Sequence, residues 1–165
     1  MNTELVEQAT VFESWVNNVA EESNMAIPMA AVQCGHAVGP AFNLQLNMTP
    51  AELSERLLDF AARIGKVVDA LPDTRMGRHI AGQLVRCGTS PAPNYEEGCG
   101  AESRADFIHK LRICLKELRE SGSWIRLIIK SDLLSKESMA NLWDECTQLC
   151  NIMGKSIATA SAQGN

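Results

Sequence analysis

Residues 83–120, QLVRCGTSPAPNYEEGCGAESRADFIHKLRICLKELRE, decide how the rest of the chain must be read. Gln83 to Cys87 end one helical pattern, and Gly88-Thr89-Ser90-Pro91-Ala92-Pro93 interrupts it. With Ser90 as a cap, Pro91 and Pro93 fall at the first and third positions of a new helical turn. Backbone N–H groups lack helical partners there in any case. The chain therefore resumes a helix through Asn94-Tyr95-Glu96-Glu97, offset or kinked rather than stopped, until Gly98 and Gly100 end it. Ser103 then caps a new helix with Asp106 in its first turn. Phe107, Leu111, Cys114, Leu118, Ile125 and Ile129 share one face of it, with Ser121 and Gly122 a thin spot midway, and the pattern runs to about Asp132.

Upstream, Thr49-Pro50-Ala51-Glu52 is a helix entry: Thr49 caps, Pro50 suits the first position, and Glu52 closes a capping box. Leu53, Leu57, Phe60, Ile64, Val67 and Leu71 repeat at helical spacing up to Pro72. The helix that leads into the break starts near Asp73 or Thr74 and carries Met76, Ile80, Ala81, Leu84, Val85 and Cys87. Downstream, Ser135 caps a last helix bearing Met139, Leu142, Trp143, Cys146, Leu149, Cys150, Met153 and Ile157. Four helices with short connections and one apolar face each predict an all-α, antiparallel up-down four-helix bundle, its second helix kinked at Ser-Pro-x-Pro. The expected bundle occupies 48–158, followed by a frayed tail at 159–165.

The front of the chain is different. Residues 3–20 have helical apolar spacing, but from Asn24 to Asn47 the pattern dissolves into Met, Ala, Gly and Pro without a period. Residues 1–47 are expected to be an extension: a short amphipathic helix, then a linker or disordered segment. They hold five acids and no Lys or Arg, which leaves 15 acids against 15 bases in the remainder of a 165-residue chain of net charge −5. Broad, non-specific attraction to nucleic acid or acidic membrane gets no support from that balance. With no basic leader and no spanning apolar run, a cytoplasmic location and six free thiols are expected.

Specific residues also carry a resemblance. Gln83-Leu84-Val85-Arg86-Cys87-Gly88-Thr89-Ser90, Asn94-Tyr95-x-Glu97, Ser103 to Leu111 and Leu115-Lys116-Glu117-Leu118-x-Glu120 resemble the four-helix-bundle proteins encoded in intervening sequences of bacterial 23S ribosomal RNA genes. These are also called S23 ribosomal proteins. The resemblance covers residues 50–157, with Cys87 standing where a small polar residue is usual. It implies a small bundle that assembles as a homopentamer. A related branch, the accessory variability determinant of diversity-generating retroelements, is a basic pentamer that binds nucleic acid and a reverse transcriptase. The resemblance supplies no catalytic residues.

Chemistry-bearing patterns are sparse. A di-iron bundle requires inward carboxylates on all four helices and Glu-x-x-His on two; Asp106-x-x-His109 is the lone approximation, so no cofactor is expected. Cys34-Gly35-His36 has too few ligands for a metal, and Cys146 and Cys150, with Cys114 or His79, read as core fillers before they read as metal ligands. Glu96, Glu97 and Arg86 flank the break as an acid pair would flank a cleft, but satisfying backbone groups freed there is the simpler role. Gly88-Thr89-Ser90 lacks the P-loop lysine.

The one functional surface pattern lies on the third helix. His109, Arg112, Lys116, Arg119, Arg126 and Lys130 fall within an arc of about 100°. Asp106, Glu117 and Glu120 flank the opposite side of the apolar face, and pairs such as Asp106–Lys110 and Lys116–Glu120 would make the surface an ordinary mixed-charge one. Aromatic platforms for stacking bases are missing around the stripe. The expected function is a non-catalytic, homo-oligomeric assembly or binding module with itself as partner; the alternative is weak RNA or DNA binding through this stripe. No membrane partner is expected. The compositional break at Met48 also predicts that the native protein starts there. Intact-mass measurement from the source organism checks this, and a mass matching all 165 residues rejects it.

Overall fold

The computed structural model describes residues 48–162. The expected helix at 3–20, the linker after it and Cys34-Gly35-His36 lie outside these residues. Five helical segments follow one another: α1 (Pro50–Ala70), α2 (Arg75–Thr89), α3 (Pro91–Cys99), α4 (Arg104–Lys130) and α5 (Lys136–Ala162). Since α2 and α3 are separated by Ser90 alone, they are two legs of one interrupted helix, and the architecture is an all-α four-helix bundle. Cross-pairs show the direction of neighbours. Along α4, Lys110, Cys114, Ser121 and Trp124 meet Glu97, Pro91, Cys87 and His79 in turn, so the two run antiparallel. Arg104 at the start of α4 donates to the Ala160 carbonyl near the end of α5, which sets that pair antiparallel too. No helix among the described residues is long and apolar enough to cross a membrane.

Local chemistry explains the helix ends. The capping box at α1 is complete: Glu52 N–H donates to Thr49 Oγ1 at 3.2 Å and Thr49 N–H to Glu52 Oε2 at 2.6 Å. Thr74, Ser103 and Ser135 each accept a backbone N–H from three residues on. At the end of α4, Leu133 N–H reaches Ile128 O at 3.1 Å and Asp132 N–H reaches Ile129 O at 3.2 Å. Asp132 has φ 51°, so this is a Schellman stop with aspartate where glycine is usual, and α4 ends at Lys130.

The break differs from expectation in its mechanism. Ser90 has helical angles (φ −67°, ψ −32°), and its side chain makes no capping bond. Its N–H still donates to Arg86 O at 3.2 Å and its carbonyl accepts from the Asn94 N–H at 3.3 Å, so the ladder passes through Ser90, while Pro91 and Pro93 bring no N–H to it. Asn94 Nδ2 donates to Ser90 O and Oγ at 2.9 and 3.1 Å, and the Cys114 thiol donates to Pro91 O at 3.3 Å.

The core is built from strict seams. On α4 the seam runs through Phe107, Leu111, Cys114, Leu118, Ser121, Ile125 and Ile128, an unbroken alternation of four and three, with Gly122 buried beside it. Ser121 therefore occupies a seam position. Ile128 replaces the expected Ile129, which is only partly buried. On α5 the alternation runs through Met153 and Ser156 to Ala160, with Ser156 in the seam position expected of Ile157, which is partly buried; the helix reaches Ala162, and residues 163–165 lie outside the described ones. Met76 and Val85, expected inside, stay 45% and 38% exposed, because α2 buries Gly77, Ile80, Leu84, Cys87 and Gly88 instead.

Gly88 shows why. A Cβ there would lie 2.7 Å from Ile64 Cγ2 and 2.8 Å from Cγ1, so α1 and α2 touch almost backbone to side chain. Gly88→Ala is expected to lower stability by about 1–3 kcal/mol, since a β-branched neighbour cannot swing aside. Gly82→Ala, where a Cβ meets nothing within 4 Å, is expected to raise it by about 0.5–1 kcal/mol. Urea midpoints at unchanged m values check both.

Candidate functional site

The helix that carries the expected basic stripe is α4, whose inner face is fully used by its seam. The six cations occupy what is left. His109, Arg112, Lys116, Arg119, Arg126 and Lys130 are all exposed, and Ser123 fills the gap between Arg119 and Arg126 on the same arc. At helical rise the stripe is about 32 Å long. Among the described residues, His109, Arg112, Lys116, Arg126 and Lys130 enter no ion pair.

The pairings that would have neutralised the surface are not made. Lys110 turns to Glu97 on α3, at 2.6 Å, instead of Asp106. That carboxylate raises the Lys110 pKa. Glu120 accepts the indole N–H of Trp124 at 3.4 Å instead of meeting Lys116. Trp124 in turn stands edge-on to His79 of α2, ring centroids 5.6 Å apart. This ring faces the far flank from the stripe, so it offers the cations no stacking platform. On the near flank runs α5. Gly122 lets Trp143 and Cys146 approach, a Cβ there being 3.3 Å from Trp143 Cζ3 and 3.5 Å from Cys146 Sγ.

Residues expected around the break are drawn apart. Glu96 accepts the hydroxyl of buried Ser54 on α1, Glu97 holds Lys110, and Arg86 leans toward Gln83. No acid pair forms, and the backbone at the break is served by Asn94 and Cys114 rather than by these side chains.

The thiols divide by environment. Cys87, Cys114 and Cys146 are buried, Cys99 is exposed and Cys150 lies between. Burial pushes Cys87 up to about 11 and Cys114 up to about 12. Ser121 Oγ donates at 2.9 Å to Glu117 O and lies 3.2 Å from Cys87 Sγ. Cys114 and His79 are held at Pro91 and Trp124, away from Cys146 and Cys150. Among the described residues no group of three or more His, Cys, Asp or Glu is placed to hold a metal ion.

One feature had no sequence signal. Arg56 of α1 makes a two-pronged bond to Glu145 of α5, Nε–Oε1 2.6 Å and Nη2–Oε2 2.9 Å, and also reaches Gln148 at 2.6 Å. The hydrogen bond with Glu145 raises the Arg56 pKa against the opposing effect of burial. A shallow cleft of about 380 Å³ opens beside the pair, lined by Asp59, Arg63 and Lys66 among others. The partners are 89 residues apart in sequence, and no local pattern links them.

Comparison with known proteins places this bundle. A family model described as 23S rRNA-intervening sequence protein matches residues 51–155. A crystal structure described as a protein of unknown function from the S23 ribosomal protein family of Bacteroides thetaiotaomicron is 32% identical, with a TM-score of 0.58. That match covers 61% of this chain and 94% of the other. No curated protein matches.

The raised thiols make a pH prediction. The unfolded chain ionises its cysteines near the ordinary value of about 8.5, before Cys87 and Cys114 ionise in the fold. Their contribution to stability is thus complete below about pH 8 and is lost as pH rises through the interval up to 11–12. Each thiol contributes a slope of at most about 1.4 kcal/mol per pH unit. Urea unfolding between pH 7 and about 10.5 is expected to show this decline, and Cys114→Ala to show a shallower one.

Proposed function

The chain belongs to the 23S rRNA-intervening sequence protein family, and from that premise we propose that it works as a non-catalytic, homo-oligomeric four-helix-bundle module. The observation that carries the reading is Trp143. Its ring rests over Gly122 at the junction of α4 and α5, yet it remains 37% exposed although the bundle's seams are already filled. Leu58 on α1 and Val85 on α2 are also exposed, so two different helix pairs present apolar groups to a second copy. Contact between unlike faces is the kind that closes into a ring, and the family resemblance implies a ring of five. Light scattering on the purified protein is expected to give a multiple of 18.0 kDa, and Trp143→Lys to weaken assembly at least about tenfold, near 1.4 kcal/mol. A strict monomer across micromolar concentrations rejects the reading.

The stripe on α4 supports a second function, weak binding of RNA or DNA by the oligomer. Five of its six side chains enter no ion pair among the described residues, and a ring repeats the stripe so that the fields of its copies add. Near-equal numbers of acids and bases in residues 51–165 keep the expected affinity low. Binding of labelled single-stranded RNA is expected to fall with added salt and to be lost in Arg112→Glu/Arg119→Glu. Absence of binding at low salt, or binding indifferent to salt, rejects it.

A further inference from the structure

The junction of α1 and α5 holds a second concentration of charge, separate from the α4 stripe. Arg56, Asp59, Arg63 and Lys66 follow one another along α1 and fall within an arc of about 80°. Together with Glu145 of α5 they line the cleft of about 380 Å³. Within it, Arg56 is held from behind. Glu145 takes its Nε and Nη2, Gln148 takes Nη2 as well, and Gln148 Nε2 is itself fixed on Asp144 Oδ2 at 2.7 Å. The third nitrogen, Nη1, enters no hydrogen bond among the described residues, and the side chain keeps 25% exposure.

Arg63 and Lys66 lie beside this ordered guanidinium. Asp59 comes four residues before Arg63, at a spacing that favours pairing on a helix. Yet among the described residues Asp59, Arg63 and Lys66 enter no ion pair. Two like charges three residues apart on one helix face repel, so the arrangement weakens α1 unless an anion comes between them. Because Glu145 is cancelled by Arg56, Asp59 is the one lining carboxylate left against Arg63 and Lys66. A guanidinium ordered in advance, with donors to spare, puts the entropy of ordering on the fold rather than on the binding step.

We propose that this cleft binds a small phosphate monoester. The phosphate lies among Arg63, Lys66 and the Nη1 edge of Arg56, since ammonium and guanidinium donors make their strongest hydrogen bonds to such charged oxygens. The organic part of the ester lies along the rest of the cleft, where Ala62 and the buried ring of Phe60 form the lining. A volume of about 380 Å³ is in the range of small-ligand sites and exceeds what a phosphate group fills. The site uses neither the α4 stripe nor Trp143, so it rests on neither reading of the molecule's function given above.

The experiment titrates the native full-length protein at low salt with AMP, inorganic phosphate and adenosine, and follows backbone amide shifts by NMR. AMP is expected to move the amides of Arg56, Arg63 and Lys66 with a dissociation constant of about 1 mM or below. Inorganic phosphate is expected to move the same amides with no greater affinity, and adenosine to leave them in place. Arg63→Gln/Lys66→Gln is expected to weaken AMP binding about tenfold. Asp59→Asn removes the opposing carboxylate and is expected to tighten it about twofold to threefold, a gain that damage to the fold does not imitate. The proposal is overturned if AMP fails to bind below about 10 mM, if adenosine binds as well as AMP, or if inorganic phosphate binds more tightly than AMP. It is overturned equally if Asp59→Asn weakens binding, or if the shifts fall on the α4 stripe instead of α1, an outcome that leaves the nucleic-acid reading standing.

Discussion

Four helices come unusually close around Gly88, Ser121 and Gly122, and the rest of the bundle depends on that approach. Gly88 lets Ile64 of α1 sit against the α2 backbone, and Gly122 lets Trp143 and Cys146 of α5 sit against α4. Ser121, buried in the seam between them, meets the polar need of its own hydroxyl by donating to Glu117 O. Leucine at any of these positions would push two helices apart, and with them the layers above and below. Small residues are weak hydrophobes, so burial lost at this level is offset by the large side chains on either side, such as Leu118 and Ile125.

The proline break lies directly beside this layer. Interrupting a helix next to a tight contact leaves carbonyl groups without their usual N–H partners in a dry place, which is costly unless other donors reach them. The carbonyls so freed are those of Cys87 and Thr89, four residues before each proline, while Asn94 and the Cys114 thiol donate to the next carbonyls along, those of Ser90 and Pro91. Cysteine suits such positions because it fills little space, is apolar enough for a core and still carries a weak S–H donor. The same reasoning applies to Cys146 and the Leu118 carbonyl. The buried thiols Cys87, Cys114 and Cys146 are thus placed first by packing.

Charge on the outside is arranged by what the inside leaves over. With its seam committed, α4 has one broad face for its polar residues. The acids on its far flank are occupied locally, Glu120 by Trp124, while Lys110 is drawn off to Glu97 on another helix. What remains on the near flank is a row of cations beside an α5 edge of Trp143, Cys146 and Cys150. The assembly and the nucleic-acid binding proposed above would both use that edge.

The four-helix architecture, the capping box at Thr49, the caps at Ser103 and Ser135 and most seam positions were legible in the amino-acid sequence. Helix periodicity and capping are local, so a few neighbouring residues suffice to specify them. The exposed stripe was legible for the same reason, as an arc on one helix. Three things were decided only by the tertiary structure. Ser90 continues the helix instead of capping a new one, its N–H still reaching Arg86 O and its carbonyl still accepting from the Asn94 N–H. Arg56 finds Glu145, and Lys110 finds Glu97 instead of Asp106, because ion pairing follows distance in space, and sequence does not record it. The roles of Gly88 and Gly122 emerge only when Ile64 and Trp143 arrive from other helices. Periodicity says which face of a helix turns inward, but only packing says what each side chain will meet.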